Sequence, residues 1–296
     1  MKQVAVLGLG TMGLPMAFNL IRKGYPLTVY NRTAEKAEPI TAAGARLART
    51  PAEAAQHAEI VITMVSDDSS IHSVYEGDAG LLSSIQPGPI VIDCSTISPS
   101  LSQELAAACK ARGAQFLDAP VTGSKPAAEA GTLTFMVGGE ASVLEEAMPV
   151  FEAMGTNIIH MGASGSGSIT KLAHNTIVGI NNVALAEGFS LVSKAGVNPS
   201  AFLQVVRNGS AGSKAAELKG EKIIEGNFDN QFSLQLMLKD LKLASVLSEN
   251  MQLPTPMLEL AKSMFQAGQT QGYGPEDLCS VVKIYEQWIG HAIQPK

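Results

Sequence analysis

Val4-Ala5-Val6-Leu7 runs directly into Gly8-Leu9-Gly10-Thr11-Met12-Gly13, and a helical pattern follows from Leu14 to Lys23. Strand, glycine turn and helix in that order form the unit that cradles the pyrophosphate of a dinucleotide. Gly8 allows the tight turn, Gly10 lets the backbone approach the phosphates, and Gly13 permits close packing of helix on strand. Leu9, Thr11 and Met12 complete the turn, and the helix start adds unsatisfied N–H groups with a partial positive charge.

The second strand, Leu27-Thr28-Val29-Tyr30, ends at Asn31-Arg32-Thr33. A site for NAD usually carries Asp or Glu about 20 residues beyond the glycines, where it accepts from the ribose 2′-hydroxyl and repels a 2′-phosphate. Here Asn31 is neutral, Arg32 offers a planar fork suited to phosphate, and Thr33 adds a hydroxyl. The pattern favours NADP (NADPH) and leaves NAD open. Arg32 also reads as a plain solvated charge after a strand.

A chain of 296 residues is long enough for two domains with sizeable cores. A net charge of −6 and the lack of a basic tract argue against nucleic acid and against an anionic membrane surface. Cys94, Cys109 and Cys279 are too few and scattered for a disulfide framework, which points to a reducing compartment. With the first strand starting by residue 3 and no leader before it, a cytoplasmic location is expected. The longest apolar stretches are broken short of the 18 or so residues of a membrane span. The five histidines, at 57, 72, 160, 174 and 291, show no ligand spacing, so no metal is expected. The slight apolar excess suggests surface buried between subunits.

Strand-like runs at 59–65, 89–94, 115–118, 133–137 and 157–161 alternate with helical runs such as 99–112 and 142–154. Alternation of this kind predicts an α/β fold with a mainly parallel, doubly wound, Rossmann-like sheet. Thr50-Pro51 and Ser98-Pro99 read as helix starts. After Gly165 the strands stop. A long helix over 167–194 is apolar on several faces, through residues such as Leu172, Ile177, Val183, Phe189 and Leu191, and is expected to be buried between domains or in a dimer. Further helices are predicted over 199–207, 234–250, 256–269 and 275–290. The expected organisation is a dinucleotide-binding domain over 1–163, an interdomain helix over 164–194 and an all-α domain over 195–296, with the hinge at Gly162 to Ser168.

Reduction of a carbonyl needs a proton donor and groups that fix the substrate. Three segments offer them. Asp118-Ala119-Pro120-Val121-Thr122-Gly123-Ser124 is a turn at a strand end, where Thr122, Gly123 and Ser124 present candidate carboxylate donors; it also reads as an ordinary glycine turn. Lys171 and Asn175 lie four apart in the apolar helix and share a face. An ammonium there is costly unless used or paired, and desolvation would lower its pKa; the alternative is a lysine that snorkels to solvent. His174 competes as acid/base but reads better as a packed polar residue. Phe232-Ser233 and Lys239-Asp240 open a helix, where Lys239 reaches a phosphate or carboxylate or forms a solvated pair.

With these motifs in order, the whole chain resembles the β-hydroxyacid dehydrogenases, the family of 3-hydroxyisobutyrate dehydrogenases, tartronate semialdehyde reductases and glyoxylate/succinic semialdehyde reductases. The resemblance implies Lys171 as catalytic acid/base, Ser124, Gly123 and Thr122 on the substrate carboxylate, and Asn175 against substrate. It places Thr96 by the nicotinamide, Met64 and Val65 on the adenosine side, and Phe232 and Lys239 at the cofactor. It further implies a Rossmann-like domain joined by a long helix to an all-helical one, assembled as a homodimer or homotetramer. Lys125-Pro126-Ala127-Ala128-Glu129 after Ser124, with Asn31-Arg32-Thr33 and Ser66-Asp67, looks more like the NADPH-dependent glyoxylate and succinic semialdehyde reductases. The alternatives are NAD-dependent oxidation of 3-hydroxyisobutyrate or serine, reduction of tartronate semialdehyde, or a catalytically silent dinucleotide-binding regulator.

Overall fold

Three mostly apolar runs build the centre of the sheet, and each is buried along its whole length. In the computed structural model, which describes residues 1–294, the chain opens with β1 (Val4–Leu7), α1 (Gly13–Arg22) and β2 (Leu27–Tyr30). A 3-10 turn (Ala34–Ala37) leads to α2 (Glu38–Ala42), β3 (Arg46–Leu47), α3 (Pro51–Ala55) and β4 (Ile60–Thr63). There follow α4 (Asp68–Tyr75), α5 (Leu81–Ser84), β5 (Ile90–Asp93), α6 (Pro99–Lys110) and β6 (Gln115–Asp118). The unit ends with β7 (Val121–Thr122), α7 (Ser124–Ala130), β8 (Leu133–Gly138), α8 (Ala141–Met154) and β9 (Gly155–Gly162).

The strand order is β3-β2-β1-β4-β5-β6-β8-β7, with β9 beside β8. From β3 to β6 every pair is parallel. This is the doubly wound order, and its switch point lies between β1 and β4, where such sheets hold ligands beyond the strand ends. Side chains alternate between two cores. Val4, Val6, Ile60, Ile62, Ile90 and Ile92 join α1 and α8 on one face, while Ala5, Leu7, Val61 and Val91 join α4, α5 and α6 on the other.

The predicted strand over 133–137 is present as β8 but runs antiparallel to β6, and the short β7 on its far side went unpredicted. Thr50 and Ser98 cap α3 and α6 as their sequences predict, accepting from the N–H groups of Glu53 and Leu101.

Beyond β9 the fold is helical: α9 (Ser166–Lys194), α10 (Pro199–Asn208), α11 (Lys214–Ile224), α12 (Leu234–Asn250), α13 (Pro256–Thr270) and α14 (Val282–Ile289). The chain divides into two compact units, Met1–Lys171 and Leu172 onward. The division falls inside α9, later than the expected break at 163; the helix expected over 164–194 is present as α9, its first turns in the first unit and the rest in the second. The cause is local: the first turns of α9 are hydrogen-bonded to Asp118 and Val121 of the first unit.

In the second unit, Phe189, Leu203, Met237, Leu241 and Phe265 form the core. α11 was not predicted from sequence. Gly220 interrupts its pattern, and a Cβ there would force the buried Leu203 side chain to shift. The helix predicted over 275–290 is shorter, since Asp277 caps a 3-10 turn (Leu278–Val281) before α14 begins.

α9 is not buried all round: Leu172, Val183 and Phe189 are buried, but Ile177 is 61% and Leu191 73% exposed. By length and composition it is apolar enough to cross a membrane, which counting uninterrupted apolar residues missed. Nearly half of its most apolar window is buried inside the protein, as in a core helix.

Asn19 of α1 donates through Nδ2 to the carbonyl of Ala128 in α7 at 2.7 Å, away from solvent. Asn19→Ala leaves that carbonyl with only the long 3.4 Å bond from the Gly131 N–H and is expected to cost about 1 kcal/mol. Urea denaturation checks it: an unchanged midpoint and slope would contradict the expectation.

Candidate active site

The glycines of the first turn divide by what they face. A Cβ on Gly8, whose φ is +101°, would overlap the Met64 carbonyl oxygen, and one on Gly13 would overlap the carbonyl of Gly8. Protein packing alone demands those two. A Cβ on Gly10 would meet nothing within 4 Å. Gly10 therefore keeps open the space above the start of α1, as a pyrophosphate cradle requires. The residues present fit a dinucleotide.

Asn31 ties the walls of this crevice together. Its Oδ1 accepts from the N–H of Leu9 at 2.8 Å and its Nδ2 donates to the carbonyl of Thr33 at 2.8 Å. Leu9 itself packs into the core, so its share in the turn is backbone. The Arg32 guanidinium is exposed and forms no ion pair or hydrogen bond among the described residues.

At the ends of β4 and β5 lies a network that the sequence reading missed. Thr63 Oγ1 donates to Asp93 Oδ1 at 2.6 Å and lies 2.9 Å from Tyr75 OH. Ser95 Oγ donates to the same oxygen at 2.8 Å and accepts from the N–H of Val65 at 2.9 Å. Asp93 thus couples the loop of Met64 and Val65 to the loop of Ser95 and Thr96. Burial, opposed by these donors and aided by nearby Asp118, pushes its carboxyl up to about 6. Its Oδ2 has no partner among the described residues.

Asp118 occupies the matching last position of β6, in register with Asp93. After it the chain turns sharply. Gly123 has φ +128°, and Ser124, the first residue of α7, has φ +58°, a conformation L side chains rarely adopt and one that clusters at functional sites. Lys171 meets this turn: only 8% exposed, it donates through Nζ to the Val121 carbonyl at 2.7 Å. It does not snorkel to solvent. The structure therefore brings together two of the three segments singled out from sequence, the 118–124 turn and Lys171.

In the second unit, Asn175 Nδ2 donates to Asp240 Oδ2 at 2.5 Å, and Asn175 Oδ1 accepts from His174 Nδ1 at 2.9 Å. His174 is thus the packed polar residue the sequence suggested. Lys239 Nζ lies 2.9 Å from Asp240 Oδ1. With Asp240 buried, this is no solvated pair, and one carboxylate faces both Lys239 and Asn175.

Phe232 sits in a segment fixed by a buried ion pair. Lys219 Nζ lies 2.9 Å from Asp277 Oδ2, and that carboxylate also accepts from the N–H groups of Gln231 and Phe232. Lone charges at such distant positions gave no signal in sequence. Among the described residues, no three or more His, Cys, Asp or Glu side chains group as a metal site.

Residues 3–162 match the model of the NAD binding domain of 6-phosphogluconate dehydrogenase, and residues 165–285 match that of the NAD-binding domain of NADP-dependent 3-hydroxyisobutyrate dehydrogenase. The chain is 39% identical to an NAD-dependent L-serine dehydrogenase of Pseudomonas aeruginosa, over 98% of this chain and 100% of that one. It is 34% identical to a 2-(hydroxymethyl)glutarate dehydrogenase of Eubacterium barkeri, over 98% and 97%. A Mycobacterium tuberculosis 3-hydroxyisobutyrate dehydrogenase solved with L-serine superposes with a TM-score of 0.87 at 31% identity, over 96% and 99%. The chain belongs to the β-hydroxyacid dehydrogenase family. It is an oxidoreductase that binds a nicotinamide dinucleotide.

Gly10→Ala should leave thermal stability unchanged and weaken dinucleotide binding by about tenfold or more, whereas Gly13→Ala should destabilise the first unit. Equal melting temperatures for the two variants would contradict this division. Asp93 gives a pH test. With its carboxyl near 6 in the fold and about 3.9 unfolded, the folded state holds the proton more tightly, so stability falls as pH rises through that window. On going from pH 7 to pH 5 the urea midpoint of the wild type should therefore rise relative to that of Asp93→Asn. Parallel changes in both would refute it.

Proposed function

We propose that the protein uses NADPH to reduce a short semialdehyde or 2-oxo acid, of the glyoxylate or succinic semialdehyde kind, to the hydroxyacid. The observation that carries the reading is Lys171, a buried amine held at the 118–124 turn by the Val121 carbonyl. When bound, the nicotinamide supplies the hydride that reduces the carbonyl carbon. The chain supplies the rest. Lys171 Nζ hands a proton to the carbonyl oxygen as negative charge develops there, and takes it back in the oxidative direction. Ser124, Gly123 and Thr122 hold the carboxylate at the far end, and the strained backbone at Ser124 supports that role. Thr96, Met64 and Val65 line the cofactor crevice beyond β4 and β5. Asn175, one turn on from Lys171, is set by Asp240. Phe232 and Lys239 complete the residues assigned to cofactor.

The preference for NADPH rests on Arg32, exposed just past β2 with no acid beside it. One observation favours a second reading, NAD-dependent oxidation of a 3-hydroxyacid or serine: the relative at 39% identity is named an NAD-dependent L-serine dehydrogenase. The exposed Ile177 and Leu191 of α9 support assembly as a homodimer or homotetramer, and a cytoplasmic setting fits three thiols that are all free and buried.

Initial rates with glyoxylate, succinic semialdehyde, 3-hydroxyisobutyrate and L-serine, each with both cofactors, test the reading. The semialdehydes with NADPH should give the highest kcat/KM, and a preference for serine with NAD would favour the second reading. Arg32→Ala should raise KM for NADPH by about ten- to a hundredfold and leave that for NADH unchanged; equal weakening of both would remove the phosphate clamp.

A further inference from the structure

We propose that Asp118 is a positioning residue for Lys171, its carboxylate fixing the start of α9 and hence the direction in which the lysine leaves the helix. The proposal rests on the reading of Lys171 as acid/base. Asp118 ends β6 and is fully buried. Its two oxygens are used separately: Oδ1 accepts from the N–H of Gly165 at 2.8 Å and Oδ2 from the N–H of Ser168 at 2.9 Å. Both amides belong to the beginning of α9, where helical N–H groups lack acceptors of their own. A carboxylate from another element thus caps the helix and meets the positive end of its dipole.

The surroundings are cut to fit this grip. A Cβ on Gly138 would overlap Asp118 Oδ1, and a Cβ on Gly167 would overlap the carbonyl oxygens of Met136 and Asp118. Ser168 adds a second tether, its Oγ lying 2.8 Å from Ser102 Oγ of α6. Lys171 follows Ser168 by less than one turn, and its Nζ returns to Val121, three residues past Asp118. One short segment therefore holds the helix twice, by a carboxylate at its start and by a carbonyl at the lysine. A slip of one residue in α9 would turn Lys171 by about 100° away from that carbonyl. An Asn at 118 keeps one acceptor oxygen and sets an NH₂ against the other amide.

The experiment compares Asp118→Asn, Ser168→Pro, Ser168→Ala and Lys171→Ala with the wild type. It records kcat, its pH profile, and the Kd for NADPH by fluorescence. Ser168→Pro deletes the amide proton given to Oδ2 at a helix start that tolerates proline, and so serves if Asp118→Asn does not fold; Ser168→Ala removes the hydroxyl, with its contacts to Ser102 and Asp118, and keeps the amide bond to Oδ2. Asp118→Asn and Ser168→Pro should lower kcat by about ten- to a hundredfold, shift the pH limb that Lys171→Ala abolishes, and keep Kd for NADPH within about twofold. Ser168→Ala should stay near wild type. Wild-type kcat and pH profile in Asp118→Asn, with only the melting temperature lowered and Lys171→Ala inactive, would overturn the positioning role alone. Wild-type turnover in Lys171→Ala would overturn the reading beneath it as well.

Discussion

Two carboxylates, Asp93 and Asp118, sit at the last register position of neighbouring parallel strands, fully buried on the same face of the sheet. A buried charge without donors is costly by several kcal/mol, so the loops that follow these strands must bring donors back. They do so in different ways. Asp93 gathers Thr63 and Ser95 and through Ser95 fixes the backbone of Val65. Asp118 gathers amides from a helix start almost fifty residues later in the chain. The donors gathered by the pair shape the crevice edge on one side and seat the lysine helix on the other, with Asp93 Oδ2 left without a partner among the described residues.

The glycines impose the complementary constraint. Gly8, Gly13, Gly138 and Gly167 each leave out a Cβ that would strike a backbone or carboxylate oxygen, while Gly10 leaves out one that would strike nothing. That contrast separates glycines required by the packing from one whose missing Cβ faces open space. Asn31 closes the same crevice by bonding to backbone on two loops. Its neutrality therefore serves the turn itself.

The sheet was legible because its information is local. Val4-Ala5-Val6-Leu7 before Gly8, and the caps at Thr50 and Ser98, each state a strand or a helix start within a few residues. The antiparallel placing of β8 was not legible, since a short apolar run carries no record of its partner's direction. α11 was hidden by Gly220, which packs against Leu203 on another helix. In the site, Lys171 stood out because an ammonium among apolar residues must be paired, and the Val121 carbonyl is that partner. Asp93, Asp118 as a cap, Asp240 and the Lys219–Asp277 pair did not stand out. Single acids become informative only once folding shows which distant donors they face.

The central claim, that the buried amine of Lys171 is the proton donor, is tested most directly by chemical rescue. Lys171→Ala, assayed with saturating cofactor and substrate, should lose most of its turnover and regain part of it as small primary amines are added, with a rate that follows the amine's pKa. Wild-type turnover by Lys171→Ala in the absence of added amine would contradict the account.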